Sequence, residues 1–118
     1  MCFRKSKKSP PKVLPWDEIV KIMYDKDFRA PDDCEIIDVV YSYDKAHRYL
    51  ILKSNDGYFR YQYEYLIAYD EDELIYFGDD SPGYWLPHTL SPCPLFNDMT
   101  ILMRELKAEP DYKTYFEI

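Results

Sequence analysis

The residues with the clearest capacity for chemistry are two histidines, three cysteines and one run of four acids. His88 and Cys93 lie in a loop punctuated by Pro87, Pro92 and Pro94, with Trp85 just upstream. Together the three could form a small-ligand site, or His88 could act as the base for a Cys93 thiolate nucleophile. No third residue is placed by spacing to orient the histidine. Structural zinc asks for several Cys and His at close spacing, and this pair supplies two ligands at most, so no metal site is predicted. The acidic run Asp70-Glu71-Asp72-Glu73 fails as a calcium loop: counted from Asp70, the fifth and sixth positions are Leu74 and Ile75, where an acid or amide and a glycine belong. It suits the solvated start of a helix instead. With 3 glycines in the whole chain there is neither a phosphate loop nor a dinucleotide fingerprint. The expectation is a protein without catalytic residues or a cofactor.

Cysteine usage and hydropathy bear on the compartment. Cys2, Cys34 and Cys93 are odd in number and form no Cys-x-x-Cys pair, which fits free thiols in a reducing environment. No apolar run approaches the roughly 18 residues of a membrane span, and no signal peptide opens the chain. A cytoplasmic, soluble protein is expected.

Charge divides the 118 residues in two. The first 12 carry Arg4, Lys5, Lys7, Lys8 and Lys12 and no acid; the rest carry ten bases and all 22 acids, a net −12 within a total of −7. Residues 1–14 therefore read as a basic flexible tail and 15–118 as a single domain. Cys2 beside five positive charges has the composition of an acyl chain plus a basic patch, one route to membrane recruitment. The acidic body repels phosphate backbones, so nucleic-acid binding is not expected, and it complements a basic protein partner.

Helical and strand periods then place the elements. Pro15 precedes Trp16, Ile19, Val20 and Met23, an apolar stripe that predicts a helix over 16–25. From Glu35 to Tyr69 the sequence is β-rich. Taking Asp56-Gly57 as a two-residue hairpin loop pairs Leu52 with Tyr61, Leu50 with Tyr63 and Lys53 with Arg60. A turn at Asp44–His47 pairs Tyr41 with Leu50, Val39 with Leu52 and Asp38 with Lys53. A short helix is predicted at 71–77 and a short strand at Tyr84-Trp85-Leu86. Asn97 or Asp98 caps a last helix striped by Met99, Leu102, Met103 and Leu106, with a further turn near Tyr112 and Phe116. The fold class is α+β: an antiparallel sheet of three to four strands with N- and C-terminal helices packed on one face.

In that register the other sheet face is open, and it bears Tyr49, Tyr58 and Arg60. Tyrosine occurs 13 times, and its rigid ring with a polar tip is enriched in protein interfaces. With the acids at 70–73 and Asp79-Asp80, these residues make the predicted protein-binding surface. The protein is expected as a monomer, or as a homodimer paired through an exposed edge strand.

Three segments carry a resemblance: Pro15-Trp16-Asp17-Glu18-Ile19, Gly83-Tyr84-Trp85-Leu86-Pro87 and Leu106-Lys107-Ala108-Glu109-Pro110-Asp111-Tyr112. They resemble small bacterial α+β proteins to which no function is attached, so no site residue carries over. In general character (small, acidic, rich in aromatics, without a catalytic motif) the chain is similar to immunity proteins that neutralise bacterial toxins. That similarity implies a non-enzymatic binding module directed at a basic toxin. The other readings are a small enzyme or ligand-binding protein at Trp85, His88 and Cys93, and a regulatory protein.

Overall fold

Short turns closed by their own side chains bring three consecutive strands together. The computed structural model describes residues 13–78, 81–88 and 94–117. Strands β1 (Cys34–Tyr41), β2 (His47–Ser54) and β3 (Phe59–Ala68) pair antiparallel, and β4 (Gly83–His88) adds to β3, giving the order β1-β2-β3-β4. Helix α1 (Trp16–Met23) precedes the sheet, α2 (Glu71–Phe77) links β3 to β4, and α3 (Met99–Lys107) and α4 (Pro110–Tyr115) follow it. This is the expected α+β class, with a four-stranded antiparallel sheet contacted by its N- and C-terminal helices.

Both hairpins depart from the expected register, and the turns show why. The β2–β3 connection is a three-residue loop: the Ser54 amide donates to Tyr58 O at 2.8 Å, and Gly57 takes the left-handed conformation at φ +91°. The Ser54 hydroxyl bonds Asp56, which fixes the chain reversal one step from the predicted position. Ile51 therefore faces Tyr61 and Leu52 faces Arg60. In the β1–β2 turn Asp44 accepts from the Ser42 hydroxyl and the Ala46 amide, and Lys45 adopts φ +65°. Val39 consequently faces Leu50, and a bulge between Ile36 and Asp38 shifts the far end by one more residue.

A one-residue slip turns a strand over. Tyr49, Ile51, Phe59, Tyr61 and Tyr63 share one face, against Phe96, Leu102, Leu106 and Phe116 of the C-terminal segment. Leu66 and Trp85 occupy the other, against Ile19 and Met23 of α1. The terminal helices thus take opposite faces of the sheet rather than one, because β3 presents its tyrosines to α3 and its even-numbered residues to α1. The helix ends largely follow the sequence: Asp98 caps α3 by accepting from the Thr100 amide at 2.7 Å, and Pro110 opens α4. Helix α1 stops at Met23 instead of 25, since Tyr24 is extended and Asp25 is left-handed at φ +60°.

On the α1 face sits a fully buried ion pair, Arg48 Nε to Glu64 Oε1 at 2.7 Å. The Arg48 guanidinium lies between the rings of Phe28 and Trp85, 4.4 and 4.1 Å from their centroids. It donates onward to the carbonyls of Lys26 and Asp27. Its hydrogen bonds and Gln62 on Glu64 Oε2 satisfy what burial strips of water. The loop after α1 is therefore fastened to the sheet by a side chain of β2.

Both sheet edges are partly blocked. The Trp85 amide donates to Asp27 Oδ2 at 3.0 Å, and two positions along the same edge Pro87 has no N–H. Pro87 lies inside β4, which an edge strand tolerates, and does not stop it at Leu86 as expected. On β1 the Val39 amide is taken by Asp38 Oδ1 at 2.8 Å, next to the bulge.

Candidate protein-binding surface

The acidic run does open a helix. Asp70 accepts from the Glu73 amide at 2.8 Å while Glu73 accepts from the Asp70 amide at 3.0 Å, a reciprocal capping box. Two of the four acids thus hold the helix start, and Glu71 and Asp72 face solvent. Of the apolar run that follows, Leu74 is buried, whereas Ile75, Tyr76 and Phe77 are 59%, 78% and 61% exposed. Helical geometry dictates this. At 3.6 residues per turn, four consecutive side chains sweep most of the circumference, and a helix resting on one side buries only some of them. Rings connect the exposed end to the sheet: Tyr84 to Tyr69 at 5.3 Å, Tyr69 to Phe77 at 5.8 Å, Phe77 to Tyr76 at 6.3 Å. The result is an apolar, aromatic knob rooted in carboxylates.

The other predicted binding residues do not join it. Tyr49 is 1% exposed, packed among Tyr61, Tyr63 and Phe116, so it is core and not interface. Tyr58 is exposed at the β2–β3 hairpin, and Arg60 is half-buried opposite Leu52, with its Nε enclosed and without a hydrogen-bond partner. Tyr58 directly precedes β3 and Arg60 is its second residue, and the other end of this ten-residue strand, about 30 Å away at the usual rise, leads to α2. Asp79 and Asp80 lie outside the described residues. What was expected as one surface is two, and the α2 end is the one that sets a run of acids beside three successive exposed apolar side chains.

The alternative ligand site also separates. Trp85 and His88 are three positions apart in β4, so they point from opposite faces. Trp85 is buried, with its indole N–H on Met23 O at 3.0 Å. His88 is exposed beside Tyr63 and Tyr65. Cys93 lies outside the described residues. Among the described residues no group of three or more His, Cys, Asp or Glu is placed to hold a metal ion, and no helix is long and apolar enough to cross a membrane.

His47, which the sequence places in a turn, opens β2 and has a structural task. Its ring stacks on Tyr115 of α4 at 3.8 Å, and its Nδ1 bonds the Tyr63 hydroxyl. Burial pushes its pKa below the ordinary value, outweighing the opposing charges of Asp44 and Asp111. Asp27 and Asp44 are also shifted down. Burial raises each, but hydrogen bonds from Arg29 and the Trp85 amide to Asp27, and from Ser42 and Ala46 to Asp44, prevail.

Ile75, Tyr76 and Phe77 were legible as helix but not as surface. The signal was present, since three apolar residues in succession cannot all face one side of so short a helix. No family model, no curated protein and no solved structure matches this chain.

Proposed function

We propose that this protein is a non-enzymatic binding module for a basic protein, in its most specific form an immunity-type inhibitor that covers the active site of a basic bacterial toxin. The observation that carries the reading is the α2 knob: Ile75, Tyr76 and Phe77 exposed one residue after the acids Asp70, Glu71, Asp72 and Glu73, with the buried Leu74 between. Exposed contiguous rings favour association, and aromatic anchors dominate interface energetics. The acids around them, on a body of net −12, would steer a cationic partner and speed its encounter.

The test uses the native protein and a Tyr76→Ser/Phe77→Ser variant side by side. Affinity capture from the native cell extract should retain one stoichiometric basic protein with the native chain and lose it with the variant. Purified, that pair should associate at least about tenfold more slowly at high salt than at low salt, through screening of the acids. Absence of any protein that distinguishes the two chains, or a salt-independent association rate, overturns the proposal.

A further inference from the structure

A second surface, separate from the α2 knob, lies where the loop after α1 passes β1. A groove of about 470 Å³ runs between Tyr24 and Phe28 on the loop and Ile37 on the bulge of β1, floored by Tyr41. Asp25 and Asp38 also line it. Tyr24, Phe28 and Ile37 are 43%, 37% and 42% exposed, so the apolar walls are open to solvent. Neither aspartate takes part in any of the ion pairs among the described residues.

The loop wall is held in one conformation. Asp25 and Asp27 both adopt left-handed backbone, at φ +60° and +59°, a conformation aspartate tolerates better than most residues and which tertiary contacts here select. Four contacts impose it: Arg48 on the carbonyls of Lys26 and Asp27, the Asp25 amide on the Tyr41 hydroxyl at 2.8 Å, and the Trp85 amide on Asp27. A buried ion pair thus fixes a loop whose outward side chains are aromatic and acidic. Fixing a loop in one conformation before a partner arrives lowers the ordering cost of binding.

The same corner already shows what these components hold. Inside, the Arg48 guanidinium sits against two rings and a carboxylate. Outside, the groove is lined by Tyr24, stacked on Tyr41 at 4.5 Å, by Phe28 and Tyr41, which Arg48 touches from within, and by two carboxylates in no ion pair. We infer that the groove receives the arginine side chain of an extended basic segment on a partner protein. The stem would lie along Ile37 and Tyr24, and the guanidinium would meet the ring faces and Asp25 or Asp38. Backbone pairing with β1 is not part of this mode, since Asp38 occupies the Val39 amide.

The experiment is a nuclear magnetic resonance titration of the full chain with a short blocked peptide carrying one central arginine, and with its neutral citrulline counterpart. The arginine peptide should produce saturable shifts at Tyr24, Asp25, Ile37 and Val39, weakening with salt. Binding should be about three- to tenfold weaker for the citrulline peptide and for an Asp25→Asn/Asp38→Asn variant. Asparagine tolerates left-handed backbone, so the loop conformation survives the first substitution. Ile37→Ser, at an exposed position, removes the apolar rim without touching the core and should weaken binding as well. Equal shifts with both peptides, shifts centred elsewhere, or affinity unchanged in these variants overturn the inference. Because the α2 knob is intact throughout, failure here leaves the reading of that surface standing, and the reverse also holds.

Discussion

Under α3 and α4 the sheet is covered by hydrocarbon: Tyr49, Ile51, Tyr61 and Tyr63 meet Phe96, Leu102, Leu106 and Phe116, and the few polar tips find partners at the rim, as Tyr61 does on Glu109. Under α1 the burial is as complete, but its centre is a charged pair, Arg48 and Glu64. The aromatic face stabilises by area and close packing, which any well-shaped apolar set supplies. The ionic face supplies less net energy and more direction, because a guanidinium reaches defined carbonyls and so determines where the loop at Lys26 and Asp27 must lie. One face holds the fold together, and the other holds a loop to the fold.

That contrast predicts graded outcomes. Glu64→Ala leaves Arg48 buried without its countercharge and should cost about 3–5 kcal/mol in urea denaturation. The double replacement Arg48→Met/Glu64→Leu should recover most of that stability, yet amide exchange at residues 24–28 should accelerate sharply. If the double variant keeps those amides protected, the pair is not what fixes the loop. Leu106→Ala, on the aromatic face, should cost about 2–5 kcal/mol with no selective loosening of the loop. Acid should act more gently. His47 has a lowered folded pKa, so its contribution is complete above the ordinary value of 6.5 and is lost as pH falls through the folded one. Thermal stability should therefore fall below neutrality, and His47→Phe, which keeps a ring against Tyr115, should flatten that part of the profile. Asp27 and Asp44 should add a further loss below their ordinary 3.8. Smallest of all, Ile75→Ser/Tyr76→Ser should change stability by no more than about 0.5 kcal/mol, because these side chains touch neither face.

The sequence made the elements legible and hid their orientation. The stripe from Met99 to Leu106 and the Asp98 cap announce α3 because a helix reports its buried side through its own period. The strands announce themselves through β-branched and aromatic residues, but which side they bury depends on a turn. Placing the reversal on Asp56-Gly57 alone, rather than on Asn55-Asp56-Gly57, moved Tyr49 from core to surface and set Arg48 away from Glu64. In the observed register those two are directly opposed. A charged residue alternating with apolar ones reads as solvent-facing, and here it is the most enclosed charge among the described residues. Of the proposed binding surface, the sequence singled out the acids at 70–73, while Ile75, Tyr76 and Phe77 were read only as helix.

The treatment of the sheet's outer strands also bears on how this protein behaves when crowded. An uncovered strand is a template on which other chains can polymerise into fibrils. Here Asp27 occupies the outward amide at Trp85, Pro87 has none to give, and Asp38 takes the amide at Val39 beside a bulge. Neither flank offers an unbroken row of donors to a neighbour. Backbone pairing between molecules is thus hindered at both flanks, so a chain that exposes several rings carries a safeguard against seeding its own precipitation.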